Sequence, residues 1–158
     1  MTNNKLKFHA ILRSLRHGET GGALVETALT LPLLVTLTLG SVELARVAYT
    51  SIEVANAAKA AVSYGAQNLT TVVDTTGIQT VATNDASDLY AVTTATSKSY
   101  ICADNSASTG ANTDCVNSQI ETILTVTTTT TMTPIVHIPG LPTKYTLHGQ
   151  AVQKVLQN

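Results

Sequence analysis

The sequence predicts an α+β protein with one long N-terminal helix, a short second helix and a small three-stranded antiparallel sheet. Three observations predict it. From Gly22 to Val42 the only formal charge is Glu26. As a helix those residues would span roughly 32 Å, about one bilayer core. No Gly-Pro break separates this run from the Ala-rich stretch behind it, so one helix is expected over 22–66. Its first part, about 23–42, would lie in a membrane and its second part in water. Finally, the segment from Gln119 to Thr133 alternates apolar and polar side chains, the pattern of a strand with one wet face.

The 158 residues carry a formal net charge of −1, enough chain for one modest domain beside a membrane segment. There is no basic surplus of the kind that binds nucleic acid. The charge is nevertheless uneven. Residues 1–21 hold Lys5, Lys7, Arg13 and Arg16 against Glu19, a net of +3, while the remainder holds five bases and nine acids, a net of −4. Positive charge ahead of an apolar span keeps that end in the cytoplasm. A single pass is therefore expected, with the N-terminus cytoplasmic and the C-terminal domain facing outward.

The basic segment 1–21 admits three readings. It is a cytoplasmic tail of a signal-anchored protein, or part of a secretory signal peptide, or a leader cut before the apolar run. The second needs a small-x-small site after the run, and Gly40-Ser41-Val42-Glu43-Leu44-Ala45 offers no clean one. The third gains weight from Glu26, which becomes the fifth residue if cleavage follows Gly21. An acid within an apolar helix is costly and calls for a partner. In an assembly of such helices, a neighbour's free N-terminal amine would serve.

Gly21, then Ala23-Leu24-Val25-Glu26, Pro32, Gly40-x-x-Glu43-x-x-Arg46 and Asn56-Ala57-Ala58-Lys59 together resemble the TadE-like family. These are minor pseudopilins of the tight-adherence (Tad, or Flp) pilus machinery, related to type IV pilins. The resemblance covers about residues 18–66, with a weaker echo to the end of the chain. It departs from the usual pattern at Thr27, where the family tends to have an aromatic or large apolar residue. The resemblance implies a pilin-like layout and a leader cut by a prepilin peptidase at Gly21 or Gly22. It implies other pilins, the pilus assembly platform and inner-membrane lipid as partners.

Pro32 removes a backbone donor and crowds the carbonyl of Ala28, so a kink is expected. Thr27, Thr30, Thr36 and Thr38 can bond back to their own helix. Beyond Gly40, Val42, Ala45, Tyr49, Ile52 and Ala55 form an apolar stripe. That stripe is expected to meet the chain's own C-terminal domain, with contact to other pilins as the alternative. Glu43 and Arg46 are three apart and form a membrane-edge pair. Gly65 and Asn68 mark the helix end.

The outward domain, 67–158, is rich in Thr, Val, Ala and Ser. A short helix is expected over Gly77–Asp88, capped by Asp74, Thr75 or Thr76. Ser97–Cys102 reads as a strand. Cys102 and Cys115 enclose a polar loop. A metal site would need more ligands, so a disulfide closing the loop is the simpler reading on the oxidising side of a membrane. After the long strand, Pro134, Pro139, Gly140 and Pro142 make a turn-rich connection. Tyr145–Leu156 reads as the last strand, beside the long one.

Among catalytic patterns, no Gly-x-Ser-x-Gly, His-Glu-x-x-His or Gly-rich phosphate loop occurs. The expectation is a non-enzymatic pseudopilin without a cofactor, acting through helix packing with Glu26 as its charged register element. The alternative is a signal-anchored periplasmic binding or structural module with no pilus role.

Overall fold

In the computed structural model, the described residues are 19–111, 113–116, 118–137, 140 and 142–155. The basic residues Lys5, Lys7, Arg13 and Arg16 lie outside them. The chain divides into two compact units between Val42 and Glu43. The division falls inside the first helix, α1, which spans Glu19–Gly65 and contains Pro32 without interruption.

In the first unit, α1 is apolar on every side and open on every side. Leu24, Leu29, Leu34 and Leu37 are all well exposed. A helix apolar all round has no core of its own to face, which is the pattern of a membrane span rather than of a surface helix. Its short polar side chains are turned inward to the backbone. The hydroxyls of Thr27, Thr30, Thr36, Thr38 and Ser41 each donate to the carbonyl four residues earlier, at 2.8–2.9 Å. None of them bonds the carbonyl of Ala28, the one that Pro32 leaves without its usual donor.

The second unit begins at Glu43 and combines the rest of α1 with everything that follows. After a single 3-10 turn, Thr71–Val73, comes α2, Thr75–Asp85. The strands are β1, Thr93–Cys102; β2, Ala107–Ser108; β3, Ile120–Met132; and β4, Tyr145–Lys154. They form one antiparallel sheet in the order β2-β1-β3-β4. The sheet thus has four strands, not the expected three. The extra one is two residues long and lies in the Cys102–Cys115 loop, too short to leave an alternating pattern.

Three further boundaries differ from expectation. β1 starts at Thr93 rather than Ser97 because Gln79 of α2 holds its first residues. Gln79 Nε2 donates to the carbonyl of Val92 at 2.8 Å, and its Oε1 accepts from the N–H and hydroxyl of Thr94 at 2.7 and 2.8 Å. α2 starts earlier and ends earlier than expected. Asp74 caps it, with Oδ1 accepting from the N–H of Gly77 at 2.9 Å, and its turn of coil after Asp85 begins at Ala86. β4 ends at Lys154, and Leu156 lies outside the described residues.

β3 is the spine of this unit. Its buried side chains are Thr122, Leu124, Val126, Thr128, Thr130 and Met132, every second residue. α1 lies along that face. Its buried side chains are Thr50, Val54, Ala57, Ala58, Ala61 and Val62, a three-four spacing that brings one stripe against the sheet. Val72, Ile78, Ala82, Ala86, Val92 and Val155 complete the core.

This stripe is not the predicted one. Tyr49 and Ile52 stay exposed, at 53 % and 59 %. The sheet selects alanine because the backbones approach closely. The hydroxyl of Thr128 donates to the carbonyl of Val54 at 2.7 Å. Gly149, paired with Thr128 on β4, lies so near that a Cβ there would collide with the same carbonyl. Large side chains would hold the helix off; small ones let it settle.

Candidate functional site

The residues predicted to act fall on α1, so the site is a helix surface rather than a pocket. Gly21 and Gly22 stand in open space inside the helix, with nothing near where a Cβ would be. Two adjacent glycines weaken a helix by about 1 kcal/mol each relative to alanine, which marks this point as the easiest place for the chain to open. Glu26, one and a half turns on, is exposed. Among the described residues no cation, amine or hydroxyl pairs with its carboxylate. Only its backbone carbonyl is engaged, by Thr30. Pro32 follows, with Thr36 bonded to its carbonyl at 2.8 Å.

Glu43 and Arg46 belong to the second unit. Arg46 Nη1 lies 3.2 Å from Glu43 Oε2. The same carboxylate oxygen accepts from the backbone N–H of Ile135 at 3.2 Å. Glu43 is therefore more than half of a helix-surface ion pair: it ties the segment after β3 to the helix. Sequence spacing could show the Arg46 contact, since that is local. It could not show Ile135, which lies 92 residues away.

Between Glu43 and Ala55, the large apolar side chains Leu44, Tyr49 and Ile52 are left exposed by the sheet. Tyr49 also donates its hydroxyl to Asp88 Oδ2 at 2.8 Å, which fixes the ring on the loop after α2.

At the other end of the unit Cys102 and Cys115 are joined in a disulfide with a Cα–Cα distance of 5.6 Å. The loop they close is knitted by aspartates. Asp114 Oδ2 accepts from the N–H and hydroxyl of Thr109 at 2.6 and 2.7 Å. Asp104 Oδ1 accepts from the hydroxyl and N–H of Ser106 at 2.7 and 3.0 Å. The Thr109 hydroxyl chiefly holds the Asp114 carboxyl below its usual range, and the Ser106 hydroxyl does the same for Asp104. Gly110, at φ +92°, packs against the ring of Tyr100. An open cleft of about 480 Å³ runs between Leu69, Tyr100, Cys115 and Thr122. Among the described residues no group of three or more His, Cys, Asp or Glu side chains converges as metal ligands would.

An apolar helix long enough for one membrane span, continued along an antiparallel sheet with a short second helix beside it, defines an α+β protein of the pilin-like class. Residues 21–63 match the family model described as TadE-like protein, so the similarity falls on that helix. The match begins at the glycine pair and stops two residues before α1 ends; the α2–sheet part lies beyond it. No curated protein matches the chain, and no solved structure does.

Proposed function

We propose that this protein is a minor pseudopilin that helps assemble or prime a tight-adherence (Flp-type) pilus from the inner membrane. The observation that carries the proposal is the TadE-like match falling on a helix whose apolar side chains before Glu43, and whose Glu26 carboxylate, have no partner among the described residues. A helix so exposed is built to be covered by something else. Lipid covers it before assembly, and other pilins or pseudopilins on the assembly platform cover it afterwards. A prepilin peptidase cuts at Gly21 or Gly22. Glu26 then sits near the new N-terminus and sets register by pairing with a neighbour's amine, since a lone acid in apolar surroundings is penalised. The basic segment ahead of the span orients the protein with its N-terminus in the cytoplasm and its sheet in the periplasm. The role is structural, in line with a family not known for enzymes.

N-terminal sequencing of the membrane-extracted protein tests this. A mature chain starting at Gly22 or Ala23 is the expected result. An intact Met1 in the membrane fraction overturns processing and favours a signal-anchored periplasmic module. A periplasm-dependent reporter fused after Asn158 should be active; activity of a cytoplasm-dependent one there would reverse the orientation.

A further inference from the structure

The second unit carries two exposed aliphatic side chains pinned beside the point where the apolar run joins it. Ile135 and Val136 follow β3 and are 59 % and 43 % exposed. The N–H of Ile135 donates to Glu43 Oε2, and Glu43 directly follows Val42, the last residue of the apolar run. Four contacts place this tip along the helix. Gly65 lies against Leu124, the Val54 carbonyl takes the Thr128 hydroxyl, the Thr50 hydroxyl reaches Met132 Sδ at 3.6 Å, and Glu43 takes Ile135. The distances agree. From Gly65 back to Glu43 the helix rises about 33 Å, and from Leu124 to Ile135 an extended chain covers about 36 Å. β3 runs the length of the helical segment and delivers its exit loop to Glu43.

The pinning has a cost. Glu43 Oε1 is shielded from solvent and has no hydrogen-bond partner, so the carboxylate is held there against desolvation. Two aliphatic side chains are thereby kept open to solvent at a place where no described residue covers them. Leu44, 72 % exposed and next to Glu43, adds a third. Cations accompany them: Arg46 is paired to Glu43 but still 39 % exposed at its side chain, and exposed Lys144 precedes Tyr145, which pairs with Met132 on the same hairpin.

We propose that the Ile135–Val136 loop is a second membrane contact, entering the interfacial layer of the bilayer that the apolar run crosses. The partner is phospholipid. The aliphatic pair enters the acyl boundary, to a depth of ~5–10 Å, and the flanking cations meet headgroup phosphates. A hydrogen bond to Glu43, the residue that follows the apolar run, keeps the loop at that surface by covalent continuity. The proposal rests on the apolar run being a span.

The test uses the full chain in vesicles of phosphatidylethanolamine and phosphatidylglycerol. Single cysteines replace Ile135, Val73 or Leu34 in turn and carry an environment-sensitive fluorophore, attached without reductant. Val73 is as exposed as Ile135 but lies beyond Gly65, and Leu34 lies in the apolar run. The expected result is quenching by nitroxide-bearing lipid at both Leu34 and Ile135, with iodide quenching at Ile135 at least about threefold weaker than at Val73. Lipid quenching at Leu34 but iodide access at Ile135 equal to that at Val73 overturns the loop contact and spares the span. No lipid quenching at Leu34 overturns both. Protection from iodide at Ile135 without lipid quenching means that a protein covers the loop, and overturns the lipid assignment.

Discussion

The two stretches of α1, before and after Glu43, share one backbone geometry and differ in where they find partners. In Glu19–Val42 the hydroxyls of four threonines and a serine bond back to the helix, and every apolar side chain is left open. In Glu43–Gly65 the polar groups reach outward. Thr50 meets Met132, Ser63 meets Gln153 at 3.3 Å, and Glu43 meets Ile135. The apolar surface there is divided, with an alanine-rich stripe buried and Tyr49 and Ile52 exposed. A segment destined for lipid must satisfy its polar atoms internally. A segment with a sheet beside it can spend the same side chains on tertiary contacts. Helicity alone therefore says little; the direction of the hydroxyls separates the two.

The sharpest way to break this comparison is at Glu26, the one formal charge from Gly22 to Val42. Glu26→Gln keeps the shape and removes the charge. The isolated protein should be made, inserted and cleaved as before, because removing an acid from apolar surroundings costs nothing. Pilus formation and crosslinking to partner pilins should be lost, since a neighbour's amine would be left unpaired in a low dielectric. Assembly at the wild-type level would make Glu26 a tolerated acid and the first stretch a plain anchor.

The second stretch depends on a domain that is stapled at its far end, and the staple gives the next largest effect. Loop-closure entropy for the Cys102–Cys115 link is worth ~3 kcal/mol. Reduction, or Cys102→Ser with Cys115→Ser, should lower the thermal midpoint of the full chain in detergent by more than about 10 °C. An unchanged midpoint would mean that the sheet and α1 hold the unit without it. A smaller effect is expected at Gly149→Ala. Its methyl would push against the Val54 carbonyl, at a cost of about 1–3 kcal/mol, read as a shift in denaturation midpoint. Equal stability would show that α1 can move off β4, and that close approach does not explain the choice of alanine.

Much of this was legible in the sequence, and the failures share a cause. The apolar run, the end of the long helix at Gly65, the alternation in β3, the cap at Asp74 and the cysteine pair are all local patterns. The facing stripe of α1 was misread because hydrophobicity points to Val42, Tyr49 and Ile52, whereas the sheet selects by size. That selection depends on Gly149 and Thr128, 74 or more residues downstream of Val54. Likewise three threonines of a low-complexity tract, Thr122, Thr128 and Thr130, are buried. The period-two pattern assigns them a face only once Leu124 and Val126 fix its phase. The glycine pair and Glu26 could be picked out from the motif alone. The Glu43–Ile135 tie could not, because no spacing rule connects a helix residue to a distant loop amide.

The smallest effect expected is electrostatic, and it belongs to the second unit. The Gly77 N–H, then the Tyr64 hydroxyl at 2.7 Å, hold Asp74 below the ordinary aspartate value of 3.8. Asp104 and Asp114 are lowered in the same direction by their own loop donors. A carboxyl with a depressed folded pKa binds protons more readily when unfolded. Its contribution is thus present above the unfolded value and fades as pH falls through the folded one. Stability should be flat near neutrality and decline below about pH 4. Asp74→Asn keeps an oxygen acceptor for the Gly77 N–H but cannot titrate, so it should be less stable than wild type at pH 7 and converge with it in acid, which makes its acid limb shallower. Denaturation midpoints measured between pH 7 and 2.5 would show this. An acid limb identical to wild type would mean that Asp74 caps α2 by geometry alone, and that the loop aspartates carry the pH dependence.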